Sequence, residues 1–465
     1  MDRKLGLPAL TALVLSSMLG AGVFSLPQNM AAVAGASALM TGWAITGIGI
    51  ILLALSLLLL SRLRPDLDGG IFSYAHAGFG DLVGFFSAWG YWLCAVVANV
   101  SYLVIVFAAL SYFTDSSGHV IFGDGTTWQS IVGSSLLLWM VHVLLLCGIQ
   151  TASSVNLLAM LARLIPLGMF IVLALSAFDL KRFTLDFHGI TLGTPWWQQV
   201  KNTMLITLWV FIGVEGAVVV SARARHKKDI GRATMLAVFS ALSVYLLVTL
   251  ISLGIVPRQE LAAMHNPSMA GLMSHLMGTR GYIIIAAGLI ISVCGAYLSW
   301  TILAAEIPWL AARKRAFPAC FNHQNKHGAP AKSLWLTNGS IQICLIAIWL
   351  TGAGYTTLLA LASEMVLIPY FLVGAWLLKL GLQAKQPHLW LVGGGASLYG
   401  LWLLYASGPS ELLLSAILYA PGIAVFLLAR SGHTNCPPLK KWEKAAMALL
   451  ILAAGVSLWI LINQA

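Results

Sequence analysis

Ser16-Ser17-Met18-Leu19-Gly20-Ala21-Gly22-Val23-Phe24-Ser25-Leu26-Pro27 sits inside an apolar run of roughly residues 8–34. A lipid crossing needs about 20 apolar residues, so the run is long enough to span. Two glycines nonetheless flank one small residue at its middle, and a proline follows a turn later. Glycine permits backbone shapes closed to other residues. Unwinding at that depth frees N–H and C=O groups that lipid cannot satisfy, so they must face protein or a water-filled cavity. A second stretch, Leu208-Trp209-Val210-Phe211-Ile212-Gly213-Val214-Glu215-Gly216-Ala217, has two glycines near mid-span flanking a carboxylate. One Gly-x-Gly alone reads first as close helix packing by small residues. Two breaks at matched positions, in spans one and six, are the signature of an inverted five-plus-five repeat with a site at the repeat interface.

Composition agrees with a membrane reading. Of 465 residues, 9% are charged and 59% hydrophobic, and the mean hydropathy is +0.89. Soluble domains carry about 25% charged residues, so a water-soluble enzyme, a disordered chain and a nucleic-acid binder are all disfavoured. The net charge of +11 then reads as basic loops on one side of a membrane, with no nucleic-acid partner. Six cysteines show no CxxC pair and no metal spacing, so neither a structural disulfide nor a metal site is expected. Met1-Asp2-Arg3-Lys4 precedes the first run, which carries Pro8 and passes Pro27 without a small-residue cleavage site, as in a retained first span.

Apolar runs fall at roughly 8–34, 39–61, 82–113, 128–149, 153–178, 200–222, 231–256, 280–312, 333–351, 355–378, 388–407, 410–430 and 444–463. These predict an all-α integral membrane protein of about thirteen spans, without the 10-residue alternation of a β-barrel. With the N-terminus cytoplasmic, the inside segments hold 20 of the 26 Lys and Arg, the outside segments hold 5, and Arg163 lies within span five. That bias supports a cytoplasmic N-terminus and, after thirteen spans, a C-terminus on the far side. The clusters Arg223–Arg232 and Arg313–Lys332 read first as topological anchors, with anionic lipid or a partner as the alternative. The pattern predicts a transport core over 1–385, with repeat one near 8–178 and repeat two near 200–378. Peripheral helices follow over 386–465.

Only Glu215, Glu306 and Glu364 lie well inside apolar runs. Each costs roughly 2.5–3.5 kcal/mol on insertion scales, so each requires a reason. Glu215, in the sixth-span break, ranks first, with Glu364 and its neighbour Ser363 behind it. Glu306 lies near the cytoplasmic end of span eight, where it can reach water or Arg313. Arg163 is the one buried cation candidate. Most of the 17 tryptophans belong to interfacial belts or packing, as Trp196 and Trp197 do at the end of span six. Trp209, one turn before the sixth break, and Trp300, in span eight, read either as packing or as aromatic faces for a cation. Gly393-Gly394-Gly395 reads as helix packing, and His323 and His327 as a solvated loop. HExxH, P-loop and GxSxG motifs are absent from the sequence, so no catalytic residues and no cofactor are expected. A channel would need a continuous polar path through the spans. A sensor would need a sizeable soluble output domain.

Five stretches together resemble the amino acid/polyamine/organocation transporters: Gly20–Pro27, Asp68-Gly69-Gly70-Ile71-Phe72-Ser73-Tyr74, Gly90-Tyr91-Trp92-Leu93, Trp209–Glu215 and Trp300–Glu306. More narrowly they resemble the basic amino acid/polyamine antiporters, and within these the bacterial arginine/ornithine group, over about residues 5–430. The extra last helix fits that group better than its twelve-helix arginine/agmatine relatives. The resemblance implies a LeuT-like core with spans one and six unwound, alternating access and no covalent chemistry. It implies exchange of a cationic amino acid for a related metabolite across the bacterial inner membrane. Arginine/ornithine exchange comes first, with histidine/histamine, lysine/cadaverine and proton-coupled uptake as alternatives.

Residue by residue, the resemblance places a substrate carboxylate on the amides of Gly20, Ala21 and Gly22. It places the α-ammonium at free carbonyls of Trp209 and near Ile212. The side-chain cation falls against Trp209, with Trp300 nearby and Asn99 in contact. Tyr91, Glu215 and Tyr370 match a cytoplasmic-side gate, with Cys94 close by. Ala21 stands where arginine/agmatine exchangers carry Ser, and Cys94-Ala95 differ in order, so the exact substrate pair is left open. Relatives of this type often pair as homodimers.

Overall fold

The computed structural model describes residues 6–67, 70–116, 118–148, 153–216, 227–314, 316–431 and 438–464. Asp68, Gly69, Ala217, Arg223, Arg225, Arg315 and Cys436, which figure in the expectations above, lie outside the described residues, as do Arg3 and Lys4. Among the described residues the regular structure is helical, apart from a single antiparallel bridge between Ser116 and His119.

The first apolar run is two helices, α1 (Leu7–Met18) and α2 (Gly22–Ala31), which meet at a bend of 42°. There follow α3 (Ala36–Leu63), a short α4 (Ile71–Phe79), α5 (Asp81–Thr114), α6 (Trp128–Leu146) and α7 (Ser153–Ser176). A short α8 (Leu180–Leu185) leads to α9 (Trp196–Trp209), the first half of span six. It begins at Trp196, just after Pro195, rather than near 200, because proline suits a helix start and not its interior. Next come α10 (Lys227–Ser252), two short helices α11 (Arg258–Ala262) and α12 (Ser268–Met277), then α13 (Thr279–Arg313). The chain closes with α14 (Ala331–Thr351), α15 (Tyr355–Gln383), α16 (Pro387–Ser407), α17 (Pro409–Tyr419), α18 (Pro421–Ser431) and α19 (Lys441–Gln464). The expected span 410–430 is thus two stacked helices, interrupted at Ala420 where Pro421 cannot continue the ladder.

Among the described residues, eleven helices (counting α17–α18 as one) are long and apolar enough to cross a membrane, and twelve with the bent α1–α2 pair. The expected sixth span is described only through α9 and its break.

The long α5 is the axis of the molecule. Its 34 residues rise about 51 Å, well beyond the roughly 30 Å of hydrocarbon. Some 94% of its most apolar stretch is buried, against 22% for α19. It packs against α13 and α15. Lipid supplies no hydrophobic drive between helices, so close approach through small residues holds them. At Gly393 an added Cβ would stand 2.3 Å from the Leu378 amide nitrogen, which fixes α16 against α15.

Candidate functional site

The two breaks meet beside α5. At the first, Leu19 donates to the Leu15 carbonyl at 2.8 Å and Gly20 to that of Met18 at 2.6 Å, which ends α1. The chain then starts α2 with no side-chain cap at Ala21. The first N–H groups of any helix lack partners inside it. Those of α2 begin among buried residues, since Ala21 and Val23 are inaccessible to solvent, whereas Phe24 already donates to the Ala21 carbonyl at 3.2 Å. The result is a buried helix N-terminus with donors directed at its mouth and a positive dipole end. Gly20 contributes shape rather than a donor, because its N–H is engaged by Met18. An added Cβ at Gly22 would lie 2.9 Å from Trp209 Nε1 and from Val210 Cγ1.

The sixth break is a run of i→i+3 turns. Phe211 donates to Leu208 at 2.9 Å, Ile212 to Trp209 at 3.2 Å, Val214 to Phe211 at 3.1 Å and Gly216 to Gly213 at 2.9 Å. Gly213 has φ +108°, and an added Cβ would lie 2.8 Å from the Ser17 carbonyl oxygen. That position admits only glycine, for both conformation and space. Two hydroxyls tie the breaks together. Ser17 Oγ donates to the Gly213 carbonyl at 2.8 Å. The Tyr245 hydroxyl, from α10, stands 2.9 Å from the Met18 carbonyl and 2.7 Å from that of Val210.

A narrow cavity lies where the breaks face α5 and α13. Gly20, Ala21, Gly22, Trp209, Ile212 and Trp300 line it, together with Ser17, Met18, Ala98, Tyr102 and Val210. It measures about 10 Å³, on the scale of one water, so a larger guest requires its walls to move. The Tyr102 ring stands 6.4 Å from Trp209 and 6.5 Å from Trp300. Trp209 Nε1 donates to the Tyr355 hydroxyl at 3.2 Å. The cavity therefore pairs helix-end donors with three aromatic walls, the chemistry for an anion at one side and a cation at the other once its walls move apart.

Glu215 lies behind this cavity, 1% exposed. Its Oε1 accepts from the Tyr91 hydroxyl at 2.6 Å. Its Oε2 accepts from the Tyr370 hydroxyl at 2.7 Å and from the Gly213 N–H at 3.2 Å. Two helices and the sixth break thus converge on one buried carboxylate. Such charge-assisted bonds are about twice as strong as neutral ones. Buried Cys94 sits one turn along α5 from Tyr91.

The remaining expected residues lie elsewhere. Asn99 is fully buried but outside the cavity lining, where its neighbour Ala98 takes the place. Its Nδ2 donates to the Ala95 carbonyl at 2.8 Å, and its Oδ1 faces the Thr301 hydroxyl at 3.3 Å. Ser363 donates within α15 and toward the Leu205 carbonyl. Glu364, although buried, is not among the lining residues and lies within the electrostatic reach of Glu411. Arg163 Nε donates to Ser292 Oγ at 2.7 Å, and its Nη1 to the Ser16 carbonyl. Its charge is set against the last turn of α1, the negative end of that half-helix. Trp196 and Trp197 are 41% and 46% exposed at the start of α9, as an interfacial belt requires.

Sequence reasoning missed Tyr102, Tyr245 and Tyr355. Tyr102 follows Ala98 at i+4, so one helical face of α5 holds both. A choice of Ala98 rather than Asn99 as the inward residue would have found it.

The family model described as amino acid permease matches residues 5–453. An Escherichia coli (strain K12) protein described as a "Putative arginine/ornithine antiporter" is 66% identical over 463 residues, covering 100% of both chains. The "Arginine/ornithine antiporter" of Pseudomonas aeruginosa is 43% identical over 473 residues, with 98% of this chain and 97% of that one covered. The "Arginine/agmatine antiporter" of Chlamydia trachomatis serovar L2 is 40% identical over 469 residues, with 98% and 96% covered.

Proposed function

The chain belongs to the amino acid permease family, and on that premise we propose that it exchanges external arginine for internal ornithine across the bacterial inner membrane. The observation that carries the reading is the pairing, in one cavity, of the uncapped N-terminus of α2 with Trp209, Tyr102 and Trp300. A free amino acid with a cationic side chain fits both halves: carboxylate on the helix end, side-chain cation on the aromatic faces. The names of the relatives at 66% and 43% identity support the pair arginine and ornithine. Each carries one net positive charge, so a one-for-one exchange moves no net charge.

In this reading Gly20, Ala21, Gly22, Ile212, Trp209 and Trp300 form the binding site, with Tyr102 added. Tyr91, Glu215 and Tyr370 form a gate beneath it. Residues 8–178 and 200–378 are the two inverted repeats, and 386–465 the peripheral helices. The N-terminus is cytoplasmic and the C-terminus periplasmic, an orientation supported by the 20 to 5 distribution of basic residues. The protein works as a homodimer, and no covalent step occurs.

Counterflow in proteoliposomes tests the function. Labelled arginine is offered outside vesicles loaded with ornithine, agmatine, histamine, cadaverine or nothing. Fast uptake into ornithine vesicles alone is the expected result. Fast uptake with agmatine, histamine or cadaverine but not ornithine overturns the substrate pair. Equal uptake into empty vesicles overturns exchange and directs attention to protonation of Glu215.

A further inference from the structure

A second cavity, of about 560 Å³, opens between the far ends of α5 and α13 and the short helices α11 and α12. Its size falls in the range of small-molecule sites. Tyr112 and Tyr282 form one wall, with ring centroids 5.7 Å apart and planes tilted by 34°. Glu260 and His275 stand opposite, bonded at 3.1 Å, and Ser274 completes the polar rim. A carboxylate has about four lone-pair sites and His275 occupies one, so Glu260 keeps capacity for a further donor. Beside the tyrosines, His265 bonds Asp124 at 2.7 Å. That bond raises His265 above the usual histidine range and holds Asp124 below the usual carboxylate range. Among the residues lining the cavity, Glu260 is the carboxylate, with His275 bonded to one of its oxygens.

Position gives this chemistry a direction. Tyr112 lies ten residues beyond Tyr102 on α5, and Tyr282 eighteen residues before Trp300 on α13. At 1.5 Å per residue these are about 15 Å and 27 Å along the axes from the central cavity. The same two helices therefore carry aromatic side chains at both cavities. The α11–α12 cap is also tied to α2, the half-helix whose N-terminus faces the central cavity. Gln28 Nε2 donates to the Ala262 carbonyl at 3.1 Å, the Gln28 amide to Ser268 Oγ at 3.1 Å, and Asn266 Nδ2 to Gln28 Oε1 at 3.0 Å.

We propose that this outer cavity is a capture site for the side-chain ammonium or guanidinium of the external amino acid. Tyr112 and Tyr282 supply the faces and Glu260 the counter-charge, ahead of transfer to the central cavity. The inference deepens the cationic-substrate reading and rests on it.

The test uses full-length protein in proteoliposomes, with the six native cysteines replaced and Ser274→Cys introduced. An uncharged maleimide is applied, and its labelling rate is read with arginine, ornithine or leucine present. The same measurement is repeated with Trp209→Leu, which weakens the central site, and with Ala98→Trp, which fills it. Arginine and ornithine are expected to slow labelling in all three backgrounds, and leucine to leave it unchanged. Adding Glu260→Gln or Tyr282→Leu should abolish the protection, while Tyr282→Phe, which keeps the ring, should retain it. In the exchange assay Tyr282→Leu should raise the external KM about threefold at constant kcat. Equal labelling with and without arginine, or protection that persists in Glu260→Gln, overturns the capture site. Absence of arginine/ornithine counterflow in the unsubstituted protein strikes the exchange reading instead, since labelling reads the cavity without transport.

Discussion

At the first break the N-terminus of α2 is buried and carries no side-chain cap, and its mouth opens on the central cavity. At the sixth, the chain supplies its own carboxylate, and Glu215 takes a bond from the Gly213 amide as well as two from tyrosine hydroxyls. Both breaks release backbone polar groups at a depth where lipid cannot serve them. One leaves donors directed at a guest, and the other satisfies them internally. In the proposed exchange the uncapped helix end would serve binding, because a ligand completes it. In the proposed exchange the fully partnered Glu215 would serve the protein's own switching, because disturbing any partner exposes an unpaired charge.

The strongest way to break this contrast is to put a methyl group into each break. Gly213→Ala meets both a positive φ and the Ser17 carbonyl oxygen, a backbone atom that cannot swing away. The strain is on the order of 1–3 kcal/mol, and it should appear as a lower melting temperature with little exchange remaining. Gly22→Ala meets side-chain atoms of Trp209 and Val210, which can move. It should fold near normally and lose arginine binding in calorimetry. Equal losses of stability in the two variants would erase the distinction between a binding break and a structural one.

Glu215→Gln comes next. The amide keeps the shape but removes the charge that two hydroxyls and one amide address. Charge-assisted bonds of this kind contribute about 1.5–3 kcal/mol each, so exchange should fall by tenfold or more and its pH profile should change. Wild-type rate and profile in the variant would remove Glu215 from gating. Trp209→Leu should weaken arginine binding by roughly tenfold, the loss of a desolvated cation–π face. Unchanged affinity by calorimetry would assign Trp209 to packing.

Much of this was legible in the sequence. Gly-x-Gly at mid-span predicts unwinding, since no other residue type relaxes a helix there at so low a cost. A carboxylate in an apolar run demands partners, and Tyr91 and Tyr370 are among them. Two kinds of fact stayed hidden. Tyr245 joins both breaks from α10, and nothing local in its sequence separates it from other buried tyrosines. The register of α5 was also beyond reach. Its central stretch is buried on nearly every side, so hydrophobic periodicity cannot say which face looks at the cavity.

That register is the point on which Asn99 turns, and it carries the smallest expected effect. Resemblance places Asn99 against the substrate, whereas the structure turns Ala98 and Tyr102 to the cavity and engages the Asn99 amide with Ala95 and Thr301. Asn99→Ala removes one bond to a backbone carbonyl and leaves the Thr301 hydroxyl its bond to the Tyr297 carbonyl at 2.7 Å. The cost is then about 1 kcal/mol of stability. Relative affinities for arginine, ornithine and agmatine should move by no more than about threefold. Ala98→Ser, by contrast, should reorder them, because it places a hydroxyl on the wall itself. If Asn99→Ala reorders the substrates and Ala98→Ser does not, α5 rotates by about 100°, one residue of helix, when substrate is bound. The contrast between a binding break and a gating break would then extend to a third, moving helix.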